Sequence, residues 1–185
     1  MMRYGWMLGL AVACGGDKGS DTGAEDTGGV PVADAQAPPM GRVALEAWIA
    51  EGHYLDWHCE AAAHPPVSPS PHANNRICSN DLLSAHTTGE YPVGAASVKE
   101  LFADDATTIV GYAVALHTRA GTDGGSWYWY ERVPLDHPAP HDANGVVADA
   151  TGEAGPALEI CVSCHGAAGI DADHPGHDFV YTQVP

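Results

Sequence analysis

Five residues near the C-terminus, Cys161-Val162-Ser163-Cys164-His165, constrain this chain more than any other feature. The C-x-x-C-H spacing is the attachment signal of a c-type haem, because two thiols can join one porphyrin and the next imidazole can bind its iron. A redox dithiol and half of a zinc site are the alternatives. A dithiol enzyme would carry the motif after an early strand at the start of a helix, and a zinc ribbon would need a second pair. Neither context is present, so we predict one covalent haem c, held by Cys161 and Cys164, with His165 on the iron.

The N-terminus predicts export. Residues 1–14 carry one positive charge and a short apolar run that ends at Cys14, which is typical of a signal peptide, and the residues around Cys14 resemble a lipoprotein cleavage site. An ordinary secretory signal is the alternative. Residues 15–39 are rich in Gly, Asp and Pro and predict a flexible acidic linker, which leaves 40–185 as one haem domain. We expect a protein on the periplasmic side of a bacterial membrane, secreted or anchored only through lipid on Cys14.

The charge of the chain limits its binding partners. The formal net charge of −17 argues against nucleic acid or an anionic membrane surface and favours encounter with basic proteins.

The cysteine content predicts a disulfide. Of the five cysteines, Cys59 and Cys78 are left over once Cys14 is assigned to lipid and two others to haem. In an oxidising compartment this pair predicts a disulfide, although a second metal or redox site is the alternative.

The pattern along the domain predicts an α+β fold, mainly an antiparallel sheet of about five strands with a few short helices. The spacing over 42–51 predicts an amphipathic helix, and Asn80 is placed to cap a short one. Residues 134–155 read as an irregular crossing before a haem-bearing helical segment at 156–164. Strand-like composition occurs around five segments, which are 76–79, 95–102, 108–118, 127–133 and 179–184.

The late position of the haem motif excludes two common cytochrome plans. In the usual electron-transfer cytochrome c, a methionine ligand lies far downstream of the motif, whereas no methionine follows Met40 here. A four-helix cytochrome would need four long amphipathic helices, which a chain this rich in Gly and Pro does not supply. A haem protein rich in β-structure remains.

Four segments together resemble the cytochrome P-460 family, which includes cytochrome c′-beta. The resemblance covers nearly all of 40–185. It implies a five-stranded antiparallel sheet with helices, a homodimer, and a haem with an open distal side. Some members oxidise hydroxylamine and pass electrons on, whereas others bind nitric oxide or related gases. The segments are YPVGAASVKELF at 91–102, WYWYE at 127–131, CVSCHG at 161–166 and DFVYT at 178–182.

The resemblance also assigns roles to individual residues. Lys99 matches the lysine that true cytochromes P-460 cross-link to the porphyrin, although a solvated strand lysine is the alternative. Arg76 matches an arginine of the family's first strand and is a candidate catalytic residue, although a structural ion pair is the alternative. Glu131 is a second candidate because it ends the WYWY strand and could accept protons on the distal side, although a solvated acid is the alternative. The first expectation is therefore a hydroxylamine oxidoreductase with a soluble redox partner protein.

Two non-enzymatic functions stay open. The first is a nitric oxide or gas binder, favoured if aliphatic side chains such as Val110, Val114 and Leu116 wall the distal side. The second is a simple electron-transfer cytochrome with a histidine as sixth ligand. The histidines considered for that role are His117, His174 and His177.

Overall fold

The structure is a computed structural model that describes residues 37–67 and 70–185. Six antiparallel strands form one sheet and lie side by side in chain order. The fold class expected from the sequence, α+β and mainly antiparallel β, is therefore confirmed. The strands are β1 His58–Cys59, β2 Asn75–Ser79, β3 Ala96–Phe102, β4 Ile109–His117, β5 Trp127–Arg132 and β6 Val146–Thr151.

Two strands, β1 and β6, lie outside the five predicted segments and correct the sequence analysis. Residues 134–155 were expected to be irregular, but they include β6, whereas 179–184 form no strand. Asp142 explains the first difference, because its Oδ1 accepts hydrogen bonds from the backbone N–H groups of Asn144 and Val146 and so turns the chain back against β5. The C-terminal segment is instead held by isolated hydrogen bonds, such as the one from the Val184 N–H to Ser79 Oγ.

The helices are short. Helix α1 covers Arg42–Ala50, close to the predicted 42–51. Helix α2, Asp81–Ser84, begins at Asn80, whose Oδ1 accepts the Leu83 N–H at 3.1 Å, so the predicted cap is confirmed. The other helical segments are the 3₁₀ turns His53–Asp56 and Gly124–Ser126, the π-helix Ala157–Val162 and helix α3, Ser163–His165.

The sheet has two differently covered faces. One face, here called the helix face, packs Val98, Val114 and Tyr130 against Leu45 and Ile49 of α1 in a buried core. Because successive side chains of a strand point to opposite sides, the neighbours of these residues point the other way. That opposite face, here called the cleft face, carries small side chains, two charged ones and one tryptophan, namely Ser97, Ala113, Ala115, Lys99, Glu131 and Trp129.

The predicted disulfide is present. Cys59 and Cys78 are directly opposite each other in β1 and β2 and are bonded through their sulfur atoms. The bond ties the shortest strand to the sheet and closes a loop with a sequence separation of 19. In the chain-entropy view a loop of this size stabilises a fold by about 3 kcal/mol.

The expected export signal, Cys14 and most of the 15–39 linker lie outside the described residues. Within 37–67 and 70–185, the structure contains no helix with both the length and the apolar character needed to cross a bilayer.

Candidate functional site

A cleft lies between the cleft face of the sheet and the C-terminal part of the chain. It has two adjoining parts, of about 790 and 550 Å³, each partly open to solvent. Seven residues border both parts and so mark the middle of the cleft: Pro71, His72, Ser97, Lys99, Ala115, Cys164 and His165.

Close packing against two glycines positions the segment that carries the motif. A β-carbon at Gly124 or at Gly152 would collide with the Val162 side chain. Only glycine therefore lets the π-helix lie this close to the starts of the 3₁₀ turn and of the loop after β6. The wide π turn then leads directly into α3, and the two halves of the motif follow one another along this side of the cleft.

His165 is held through one ring nitrogen. Its Nδ1 lies 2.7 Å from the Phe179 carbonyl oxygen, so Nδ1–H donates and Nε2 keeps its lone pair. Trp129 and Tyr181 flank the ring, with centroids 4.7 and 5.6 Å away. Burial lowers the His165 pKa to about 4, although the Phe179 carbonyl opposes this shift. The imidazole is thus neutral at neutral pH, which is the form that binds a metal ion.

The carbonyl that holds His165 comes from an unusual stretch of backbone. Asp178 and Phe179 have φ values of 41° and 68°, in the left-handed region that non-glycine residues rarely adopt. Asp178 Oδ2 accepts the backbone N–H of Tyr91, and the Tyr181 hydroxyl donates to the Cys164 carbonyl. These bonds fix the C-terminal segment over the motif.

The two motif cysteines are free thiols on the same cleft. Cys164 borders both parts and Cys161 borders the smaller one. Burial raises the Cys161 pKa to about 12, with the Glu131 charge adding to the effect. A redox dithiol needs a thiol of lowered pKa, usually at a helix N-terminus, whereas Cys161 lies inside a helical segment. Cys161 therefore does not supply the low-pKa thiol that a redox dithiol needs.

Lys99 reaches the centre of the cleft from β3. Its side-chain amine makes no hydrogen bond or ion pair within the part of the chain that the structure describes. Burial lowers its pKa to about 8, although the charges of Glu131 and Glu60 oppose this. At pH 7 about one tenth of the amine is therefore uncharged, compared with far less for an ordinary lysine. This buried, unpaired amine differs from the solvated strand lysine considered as the alternative.

Glu131 borders the smaller part of the cleft and pairs with His72. Its Oε1 lies 3.0 Å from His72 Nδ1, and both side chains are only about one-eighth exposed. Burial alone would raise the Glu131 pKa, but the bond and charge of His72 and the charge of Lys99 outweigh burial and lower it. The carboxylate is therefore ionised at neutral pH.

Arg76 is not part of this site. It lies on the helix face, where its Nε and Nη2 donate to Glu100 at 2.6 and 2.9 Å. Tyr54 donates its hydroxyl to the same carboxylate at 2.7 Å. Arg76 borders neither part of the cleft, so the structure does not bring it to Lys99 and His165.

The histidines considered as sixth ligands also lie elsewhere. His117 is buried against Trp127, His174 pairs with Asp171, and His177 stacks on Tyr91. None of the three borders the cleft, where His64 and His72 are the histidines present besides His165. Sequence reasoning missed His72 because it follows a Pro- and Ser-rich loop, and no spacing signal links it to Glu131, 59 residues away.

The aliphatic wall expected for a gas binder is also different. Of the three residues named for it, only Val114 borders the cleft, and its side chain packs into the core on the helix face. Val110 lines a separate surface depression, and Leu116 belongs to the core beneath α1. The apolar lining next to Val114 comes instead from Ala113, Ala115, Trp129 and Ile160.

Within 37–67 and 70–185, no group of three or more His, Cys, Asp or Glu side chains is arranged to hold a metal ion. Haem iron does not need such a group, because the porphyrin supplies four ligands and the protein one. A single neutral imidazole beside two free thiols therefore fits haem c.

Comparison with known proteins gave no match to a family model, a curated protein or a solved structure.

Proposed function

We propose that this protein is a periplasmic mono-haem c protein of the cytochrome P-460 type that binds a small nitrogenous ligand, with hydroxylamine as the first choice. One observation carries the proposal. Cys161 and Cys164 of the motif, His165 and Lys99 all border one cleft between the sheet and the C-terminal part of the chain.

The residues that would hold the group have separate tasks. Cys161 and Cys164 would form thioethers, and His165 would bind the iron through Nε2 while the Phe179 carbonyl fixes its tautomer. Small side chains at Ser97, Ala113 and Ala115 would leave room against the sheet. The bound haem would supply ligand binding at iron and electron transfer.

Lys99 would be a third point of attachment. The reaction of an amine requires its neutral form, and burial brings the Lys99 pKa to about 8. Lys99 is also the one lysine among the described residues, so no other residue of this type in the domain could take the role.

Oxidation of hydroxylamine requires a group that accepts protons from the substrate. Glu131 is the ionised carboxylate in the cleft wall, and its pairing with His72 keeps it close to the space in which a ligand would lie. Electrons would then pass to a soluble basic partner. A homodimer and a lipid anchor at Cys14 belong to the same proposal.

A nitric oxide or gas-binding protein is the second candidate. The observation that favours it is the apolar lining of the smaller part of the cleft by Ala113, Ala115, Trp129 and Ile160. Such a wall offers apolar contacts to an uncharged diatomic ligand.

The test is an optical spectrum of the exported protein, ferric and ferrous, with the mass of its haem peptides. We expect haem on Cys161 and Cys164 and, if Lys99 is attached, a haem-linked Lys99 peptide and a ferrous Soret band shifted to the red. Lys99→Met should then give an ordinary c-type spectrum, while Ser97→Ala, a change on the same strand face, should not. Protein without haem would refute the proposal. Haem on the cysteines alone would favour the gas-binding candidate.

A further inference from the structure

His72 and Glu131 form a histidine–carboxylate pair, and the function proposed above uses His72 only to hold Glu131 in place. The pair joins the loop before β2 to the end of β5 and is nearly closed to bulk solvent, with exposures of 12% for His72 and 13% for Glu131. His72 borders both parts of the cleft, and Glu131 borders the smaller one. The pair is therefore next to the space that a ligand would enter.

The charge of Glu131 decides which nitrogen of His72 carries the proton. An ionised carboxylate can only accept a hydrogen bond, so the His72 nitrogen 3.0 Å away, Nδ1, must donate. In the neutral ring, Nε2 then has a lone pair and no hydrogen. Such an imidazole is a proton acceptor, oriented by the carboxylate behind it.

His72 Nε2 is also free of protein partners among the described residues, whereas the other cleft histidine is not. In His64, Nδ1 bonds the Pro65 carbonyl oxygen at 2.7 Å and Nε2 bonds Glu60 at 3.1 Å. His72 uses only Nδ1. Of these two histidines, His72 is thus the one able to bond a molecule in the cleft.

We propose that His72, oriented by Glu131, accepts a proton from the ligand in the cleft and so selects small ligands that bear N–H or O–H groups. This inference rests on the proposed function and moves the acceptance of the ligand's proton from Glu131 to His72. The ligands that it favours are hydroxylamine-like, not diatomic gases. In the step, the N–H or O–H bond breaks, its electron pair stays on the ligand, and the proton moves to His72 Nε2. Glu131 stabilises the resulting imidazolium.

Other charged groups near the pair affect how easily His72 gains a positive charge. Lys99 and His165 interact electrostatically with Glu131, and His137 does so from the loop after β5. A protonated Lys99 would oppose a second positive charge on His72. The lowering of the Lys99 pKa by burial reduces that opposition.

The experiment compares two probes on the haem-loaded, full-length protein. Hydrogen cyanide must lose a proton when it binds ferric iron, whereas nitric oxide has none to lose. In weakly buffered solution at pH 8, where an imidazole is ordinarily neutral, a pH indicator reports whether that proton stays on the protein. Optical titration gives the affinity for each probe.

In the wild-type protein we expect cyanide to bind without release of acid. His72→Phe should release close to one proton per haem and bind cyanide about tenfold more weakly or worse, since a hydrogen bond to a charged group is lost. Its affinity for nitric oxide should not change. Glu131→Gln keeps the size of the side chain but removes its charge. Its proton release and its cyanide affinity should therefore lie between those of the wild type and those of His72→Phe.

His64→Phe is the matched control, because it places the same ring in the cleft wall without removing a free nitrogen. It should behave as the wild type does. The inference is overturned if His72→Phe retains the proton, if His64→Phe loses it equally, or if nitric oxide binding falls in step with cyanide binding. Protein that carries no haem would instead overturn the proposed function, and the mass spectrum separates these failures.

Discussion

Arg76 has a structural task on the helix face of the sheet. Its guanidinium grips both oxygens of Glu100, whose side chain is 1% exposed, and Tyr54 adds a third hydrogen bond. A buried carboxylate is stable only while such partners compensate for the water it has lost. Lys99 is adjacent to Glu100 along β3 but points the other way, so neighbouring residues serve the core and the cleft.

Arg76→Ala should destabilise the fold by about 3 kcal/mol, because it leaves the Glu100 charge buried with only Tyr54 to bond it. The midpoint of urea unfolding measures this change. Arg119→Ala is the control, since Arg119 pairs with Asp123 and Glu153 at the exposed surface, where such pairs contribute little. Haem content and cyanide affinity should stay unchanged in both variants. A loss of cyanide binding in Arg76→Ala would place Arg76 in the functional site after all.

Strand β5 shows how one element serves both faces. Trp129 and Glu131 project to the cleft, while Tyr128 and Tyr130 project into the core beneath α1. Each of these two phenols donates its hydrogen to a carboxylate, Tyr128 to Asp149 and Tyr130 to Glu46. The strand is thereby tied to β6 and to α1 on one side, and its other side remains available for the cleft.

The phenols of β5 predict how stability depends on pH in alkali. Burial, strengthened by the bond to Asp149, raises the Tyr128 pKa, and burial with Glu46 does the same for Tyr130. A phenol with a raised pKa holds its proton longer in the folded than in the unfolded chain, where its pKa is about 10. The contribution of such a phenol to the free energy of unfolding is therefore complete below about pH 10 and declines above it.

Urea unfolding between pH 8 and 11 tests this expectation. The wild-type midpoint should fall above about pH 10, and Tyr128→Phe should show a shallower fall because one of the linked ionisations is gone. The Tyr128→Phe, Tyr130→Phe double variant should be shallower still. Equal slopes in all three proteins would contradict the assignment.

At the scale of the whole molecule, the net charge influences which molecules approach the protein. The chain has 24 acidic and 7 basic residues, and its formal net charge is −17. A field of this sign attracts basic proteins and repels anions before any contact forms. Arg42 and Arg132 do not change this, because acids lie next to both. Glu46 pairs with Arg132, and Asp142 and Asp149 interact with Arg42.

Electron transfer from the haem-loaded protein to a basic soluble cytochrome should therefore slow by about tenfold or more as salt rises. The screening length shrinks from about 30 Å at 0.01 M to about 8 Å at 0.15 M, which removes the attraction. Ferricyanide is the control acceptor, because its negative charge should make its rate rise with salt. Stopped-flow absorbance measures both, and the same trend for both acceptors would exclude steering by charge.

Local features of the sequence determined much of this protein. The C-x-x-C-H spacing, the Asn80 cap, the helix at 42–51 and the antiparallel class all follow from residues that are close along the chain, where spacing and propensity act directly. The Cys59–Cys78 pairing followed from counting cysteines in an oxidising compartment. The choice of His165 and Lys99 as site residues also came from the sequence and its resemblance.

Only the tertiary structure decided which distant residues meet. Residues 146–151 became a strand because Asp142 turns the chain back onto β5, a decision made by a loop and not by strand propensity. Strand register sent Arg76 to the core and Lys99 to the cleft, since a shift of one residue reverses the face. The pairing of His72 with Glu131 joins segments 59 residues apart, and no local pattern encodes such a contact.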